Sequence, residues 1–390
     1  MKKQIKLSRP VIVMLAIAIG LFLVFGISKI SNTTKGPIES VLENAGSAVQ
    51  GVEKSLILSQ RGESRVKKLA WFEPFKLDKN RLINSKIVLF GASDNSSYES
   101  YENIINLEDS LALSFPIIHI YKAWGENKEH EFPKKELSAI NEIGSVAMIT
   151  WEPWVSAFSV ENYPGIPEPE FREKGGLAYI TNGYYDKYIR EWAVEAKAFS
   201  KPIYIRLGHE MNDPYRYPWG PHNNSPKDFI AAWQHVHDVF KMVGANNIIW
   251  VWSPHLSYGF LHEFYPGDQY VDVIASGVLN FGTSVTWSKW WSFKELFGNS
   301  YEAIAAFNKP IMIAEFGSLG IGGNRANWFS AALKGIHQDY PLVNSVVFFH
   351  YSGDNTITDK YVNWYFVDDL DVTAAIKNSL ANWPAEIKQP

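Results

Sequence analysis

Two glutamates stand where apolar segments stop and hydrogen-bonding and aromatic side chains gather. Glu210 follows the segment Pro202 to Leu207, which Gly208 interrupts; His209 and Asn212 flank it, and Tyr215, Tyr217 and Trp219 lie just beyond. Glu315 sits near the end of Lys309-Pro-Ile-Met-Ile-Ala-Glu-Phe316, which repeats the same order of Lys-Pro, apolar run, acid and then a glycine, Gly317. Two carboxyl groups among flat rings suit cleavage of a glycosidic bond, which normally needs a pair of acids on either side of the scissile linkage. The plainer reading of the pair is a structural contact inside a core.

Acids so far apart in sequence meet only if the fold brings equivalent strand ends to one place. Eight short apolar segments meet that demand: Ile87 to Phe90, Ile117 to Tyr121, Ser145 to Thr150, Pro202 to Leu207, Asn247 to Trp252, Val271 to Ser276, Pro310 to Ala314 and Ser345 to Phe349. Their continuous apolar runs suit parallel strands buried on both faces. Helical patterns separate most of them, at Glu99 to Leu111, Lys134 to Ile143, Gly183 to Phe199, Pro226 to Gly244, Phe293 to Phe307 and Arg325 to Gln338, with Val372 to Asn382 after the last. Between the fifth and sixth strands only a short turn near Leu261 to Phe264 is visible. This alternation predicts an α/β fold, a (β/α)8 TIM barrel over residues 69–390. Active sites of such barrels lie at the C-terminal strand ends. Glu210 and Glu315 fall there on strands four and seven, with Trp151 and Glu152 on strand three, Trp252 on five, Asn280 beyond six and Tyr351 on eight.

Composition narrows the function further. A hydrophobic share of 46% over 390 residues supplies a sizeable core, and a net charge of -4 gives no basic footprint for nucleic acid. The absence of cysteine excludes disulfides, thiol nucleophiles and cysteine-ligated metals. His209-Glu210 continues as Met-Asn-Asp without the second histidine of a zinc helix, and His235 and His237 diverge on their own helix. No metal or other cofactor is expected.

The N-terminus has a different character. Lys2, Lys3, Lys6 and Arg9 precede an uncharged apolar run from Val11 to Ile27, and no small-residue cleavage site follows closely. That pattern predicts a single-pass anchor in residues 1–30, basic side in the cytoplasm and catalytic domain outside; a cleaved secretory signal is the alternative. Residues 31–68 are small and polar and read as a linker.

His209-Glu210-Met211-Asn212, Trp219-Gly220, the pattern Trp233-x-x-Val236-x-Asp238-x-Phe240 and Ala314-Glu315-Phe316-Gly317 together resemble glycoside hydrolase family 26. The likeness runs from about Trp71 to the C-terminus. It implies a barrel hydrolase acting by double displacement with retention on a β-linked polysaccharide, either β-1,4-mannan or mixed-linkage β-1,3-1,4-glucan. Glu210 would be the general acid/base, Glu315 the nucleophile, and His209 would orient the acid or touch sugar. The chain departs from the family's mannanases in three places. Asp213-Pro214 follows the His-Glu-x-Asn segment where a glycine and a run of tryptophans are common, and the rings are Tyr215, Tyr217 and Trp219. The tyrosine often found near the end of strand six, in contact with the nucleophile, is replaced by the stretch Gly277-Val-Leu-Asn280. Trp151-Glu152-Pro153-Trp154 is closer to the glucanase-like members.

Physical chemistry supports the same division of labour. Apolar and aromatic neighbours disfavour the ionised form of Glu210, whereas donors such as Arg206 would keep Glu315 charged. Trp151, Tyr215, Trp219 and Trp252 are candidates to stack on sugar rings; Glu152, Asn212 and Asn280 are candidates to bind hydroxyls, and Tyr351 to floor the site. An enzyme beside a membrane would trim or release an exopolysaccharide, in association with a polysaccharide synthase complex. The rival is a non-catalytic glycan-binding subunit of an exopolysaccharide synthesis or export system.

Overall fold

A computed structural model describes residues 61–95, 101–355 and 361–390. Eight parallel strands close into one barrel in sequence order: β1 Leu89–Asp94, β2 Ile117–Ala123, β3 Val146–Glu152, β4 Ile203–Leu207, β5 Ile248–Trp252, β6 Val273–Asn280, β7 Ile311–Ser318 and β8 Val343–His350. The eighth strand pairs with the first, so no sheet edge is left. The (β/α)8 expectation holds, including the missing crossover helix between β5 and β6, where a single 3-10 turn, Leu261–Phe264, stands. Several boundaries differ. β6 and β7 run on past their apolar stretches to Asn280 and Ser318, because backbone pairing between them continues to Asn280↔Ser318. The stretch expected as one helix from 293 to 307 divides into a π-helical turn, Lys294–Gly298, and the helix Asn299–Ala305.

Alternation along the strands sorts side chains into two layers. Leu89, Ile117, Val146, Met148, Tyr204, Ile249, Val251, Val273, Ala275, Met312, Ala314 and Val347 fill the barrel interior. Residues of opposite parity, among them Ile118, Ile149, Trp151, Ile205, Trp250 and Trp252, join the larger layer between sheet and helices. β7 breaks its own parity. Met312 and Ala314 lie inside and Phe316 outside, and the pairing skips Ala314, passing from Ser276↔Ile313 to Gly277↔Glu315. A bulge of this kind re-aims one side chain, and here it turns Glu315 inward.

The N-terminal end of the barrel is plugged. Leu69, Phe72, Leu82 and Ile83 join the interior cluster from short segments that precede β1. The helix Glu63–Lys68 anchors this plug, so part of the stretch assigned to the linker belongs to the packed domain. Its Arg65 is buried and donates to Glu108 Oε1 and Oε2 at 2.8 and 2.9 Å and to the Phe115 carbonyl at 2.9 Å. The expected anchor in residues 1–30 lies outside the described residues. Among the described residues no helix is long and apolar enough to cross a membrane.

Arg65→Ala would leave Glu108 buried without its cation, which typically costs about 3–5 kcal/mol. Chemical denaturation should show a loss of that order, and a change below about 0.5 kcal/mol would contradict the anchoring role of this pair.

Candidate active site

Glu210 owes its position to a tight turn after β4. Gly208 and Glu210 both adopt left-handed backbone, with φ of 50° and 54°. For a non-glycine residue that conformation costs on the order of 1–3 kcal/mol unless the surroundings hold it. Here the Gly208 N–H donates to the Trp151 carbonyl at 3.0 Å, and the Glu210 N–H to the Ser253 carbonyl at 2.7 Å. The turn is thus tied to the ends of β3 and β5. Glu210 is 6% exposed, and its carboxyl accepts from Arg216 Nη1 at 3.2 Å.

Glu315 comes to the same place from β7. Arg206 of β4 points inward and donates to Glu315 Oε1 at 2.5 Å, and the Tyr121 hydroxyl of β2 donates to the same oxygen at 2.8 Å. A Cβ built on Gly277 would lie 3.4 Å from Glu315 Oε2 and 3.8 Å from Glu210 Oε1. Those two oxygens are therefore no more than 7.2 Å apart, the sum of the two distances. The bound admits the roughly 5–5.5 Å separation of a retaining pair.

Charge balance follows from these contacts. Burial alone would raise the Glu315 ionisation, but the adjacent Arg206 charge and hydrogen bond, helped by Tyr121, bring it down to about 2. Burial pushes Tyr121 well above the usual phenol range and the Glu315 charge pushes it further, so its hydroxyl keeps its proton and remains a donor. His119, beneath them on β2, is lowered to about 3 by burial and then by Arg206. His209 is held well below the imidazole range, first by burial and then by Arg206 and Arg216. Both rings are neutral at ordinary pH, and Nε2 of His209 pairs with the Tyr217 hydroxyl at 2.9 Å. Glu152 lies near His209 Nδ1, at 3.9 Å, and accepts from Trp154 Nε1 at 3.2 Å; burial raises its ionisation.

The fold thus brings Glu210, Glu315, His209 and Glu152 into one cleft, with Tyr351 beside it. Tyr351 stacks on Phe349 at 4.4 Å and meets the Tyr121 ring edge-on at 6.2 Å. Tyr215 is 81% exposed and stands 6.1 Å from Tyr258, a ring the sequence reading passed over.

The other expected sugar contacts do not hold. Trp151 has no exposed face; it stacks on Trp192 at 4.4 Å and lies against Trp124 at 4.8 Å in the outer layer. Trp252 is equally buried, between Tyr265 and Phe307, with Nε1 donating to the Phe264 carbonyl. Trp219 is covered by Tyr217, parallel to it at 4.5 Å, and donates to the His209 carbonyl at 2.8 Å, so it braces the acid's turn. Asn212 spends its side chain on the loop after β5, donating to the His255 and Tyr258 carbonyls and accepting from the His255 N–H. Asn280 is fully buried and ties Ser318, Gly282 and Trp291 together.

Sequence reasoning missed Tyr121, His119, Thr150 and Arg216. The first three share the inward parity of Ile117 and Met148, and that parity was the available signal. Arg216 was hidden by the aromatic residues on either side of it; its guanidinium lies 4.8 Å from the Tyr217 ring centre. Among the described residues one His/acid group has metal-like spacing, Glu210 with Asp213 and His255. The Arg216 guanidinium at Glu210 competes with a cation there.

A closed β/α barrel with opposed carboxylates at the ends of strands four and seven is the arrangement this site defines. The sequence pattern of glycosyl hydrolase family 26 matches residues 154–362, more than half of the chain. The chain is 35% identical over 269 residues to endoglucanase H of Acetivibrio thermocellus, a stretch that is 67% of this chain and 27% of that protein. It is 26% identical over 209 residues to a mannan endo-1,4-beta-mannosidase of Bacillus subtilis, covering 45% of this chain and 53% of the relative. The chain therefore spans about a quarter to a half of the length of these curated relatives. A GH26 beta-mannanase from Bacteroides ovatus shares the fold, with a TM-score of 0.54 at 16% identity over 82% of this chain and 93% of that one. The chain belongs to glycosyl hydrolase family 26.

Removing the Arg206 charge should release the Glu315 carboxyl. In Arg206→Met its ionisation moves up from about 2, which carboxyl-carbon NMR would follow once the resonance is assigned by comparison with Glu315→Gln. Because the folded value lies below the ordinary 4.5, the pair contributes stability above that pH and loses it as pH falls towards 2. A wild-type Glu315 resonance titrating near pH 4.5 would contradict the pairing.

Proposed function

We propose that the protein is a retaining endo-β-glycanase that cuts a β-linked polysaccharide by double displacement. One observation carries the reading: Glu315 Oε2 and Glu210 Oε1 both lie within 3.8 Å of the position a Cβ on Gly277 would take, which puts the two oxygens no more than 7.2 Å apart across one gap. In the first step Glu315 attacks the anomeric carbon, the glycosidic C–O bond breaks, and Glu210 gives its proton to the departing oxygen. In the second step Glu210 takes a proton from water, which attacks the same carbon and frees Glu315. Arg206 keeps Glu315 ionised for attack. Arg216 Nη1 donates to Glu210 Oε2 at 3.2 Å and so orients the carboxyl.

The stronger likeness to an endoglucanase than to the mannosidase supports a β-glucan backbone, mixed-linkage glucan first, with mannan second. The membrane anchor, and with it an extracytoplasmic site, belongs to this proposal on the N-terminal sequence alone.

Incubation with lichenan, barley β-glucan, carob mannan and cellulose should release reducing ends from at least one, and proton NMR should show the β-anomer first. Glu210→Ala and Glu315→Ala should each lower turnover by about 100-fold or more with the fold intact. Binding without release on every polymer would instead favour a glycan-binding subunit, and initial α-anomer would rule out retention.

A further inference from the structure

The two oxygens of Glu315 are not equivalent. Oε1 carries both hydrogen bonds the carboxylate receives from described residues, from Arg206 of β4 and Tyr121 of β2. Oε2 faces the place where β6 has no side chain: a Cβ added to Gly277 would stand 3.4 Å from it. The register shift between Ser276 and Gly277 sets this gap directly opposite Glu315. Tyr121 is itself held in place: its ring lies 4.5 Å from His119, 6.2 Å from Tyr351 and 6.4 Å from His209.

We propose that β2 and β6 together select the reacting oxygen of Glu315: Tyr121 is a positioning residue that occupies Oε1, and Gly277 keeps the approach to Oε2 open for the anomeric carbon. The proposal rests on the hydrolase reading above. A reacting carbon needs roughly 3–3.5 Å from the attacking atom, which is the distance at which an added methyl on Gly277 would stand. When Oε2 bonds to the anomeric carbon, the carboxylate becomes an ester and the bond from Tyr121 weakens. When water breaks that ester, the negative charge returns to Glu315 and the bond strengthens again. Tyr121 therefore assists the second step most, by stabilising the departing carboxylate.

Two variants test this on the intact protein with the polymer that the wild type cleaves. Tyr121→Phe keeps the ring packing and removes only the donor. It should lower kcat about 10- to 100-fold, lower KM with it because the glycosyl-enzyme accumulates, and move the acidic limb of the kcat/KM profile to higher pH. The groups facing Glu315 that set this limb are His119 and Tyr121 from β2, Glu152 from β3, Arg206 from β4, and Glu210 and Arg216 from the loop behind β4. Gly277→Ala meets only ordinary van der Waals contacts, so it should unfold at the wild-type temperature yet lose at least about 100-fold in kcat/KM. Wild-type kcat and an unmoved acidic limb in Tyr121→Phe, or wild-type turnover in Gly277→Ala, overturn the selection of Oε2 and leave the hydrolase reading standing. No release from any polymer by the wild type overturns both.

Discussion

The buried pair of Arg206 and Glu315 is the constraint around which the site is built. Glu315 could not remain ionised alone at the centre of a barrel, and Arg206, which keeps its charge, would be stranded there, because removing an ion from water costs several kcal/mol that only a close partner returns. Burial first and then the guanidinium keep the two nearby histidines neutral, and the guanidinium keeps the carboxylate charged well into acid. The pairing through Arg206 Nη1 takes Glu315 Oε1 and leaves Oε2 turned toward Gly277. A fold-stabilising contact and the ionised carboxylate that the proposed mechanism uses are thus the same arrangement of atoms.

That arrangement depends on two local violations of regularity. β7 must bulge for Glu315 to face inward, and Glu210 must accept left-handed backbone for its carboxyl to reach across. Both are uphill by themselves and both are held by neighbours, through pairing with β6 in one case and backbone bonds to β3 and β5 in the other. Departures from ideal geometry at the one place where carboxyls must meet are what a functional site in a regular scaffold requires.

The barrel and the strands that carry the acids were legible in sequence, because apolar runs, breakers and helical patterns are local signals. Which face a strand-end residue occupies was less so. Trp151 and Glu152 are neighbours in the chain, yet alternation sends the first into the outer layer and the second to the cleft. Tryptophans near strand ends were read as sugar platforms, and the three that lie at β3, β5 and the β4 turn are packing. Counting parity from Ile117 would have found His119 and Tyr121. The β7 bulge has no such signal, since one extra residue in a strand leaves composition unchanged. Asn212 and Asn280 looked like ligands because polar residues at strand ends often are; their amides instead satisfy backbone groups of loops that would otherwise be buried without partners.

The plug at the N-terminal end of the barrel gives the domain a direction. Arg65 binds at the starts of β2 and β3 on the side away from the glutamates, so the plug and the two acids occupy opposite ends of the barrel. A substitution among the plug residues is therefore felt first at the end of the barrel remote from Glu210 and Glu315.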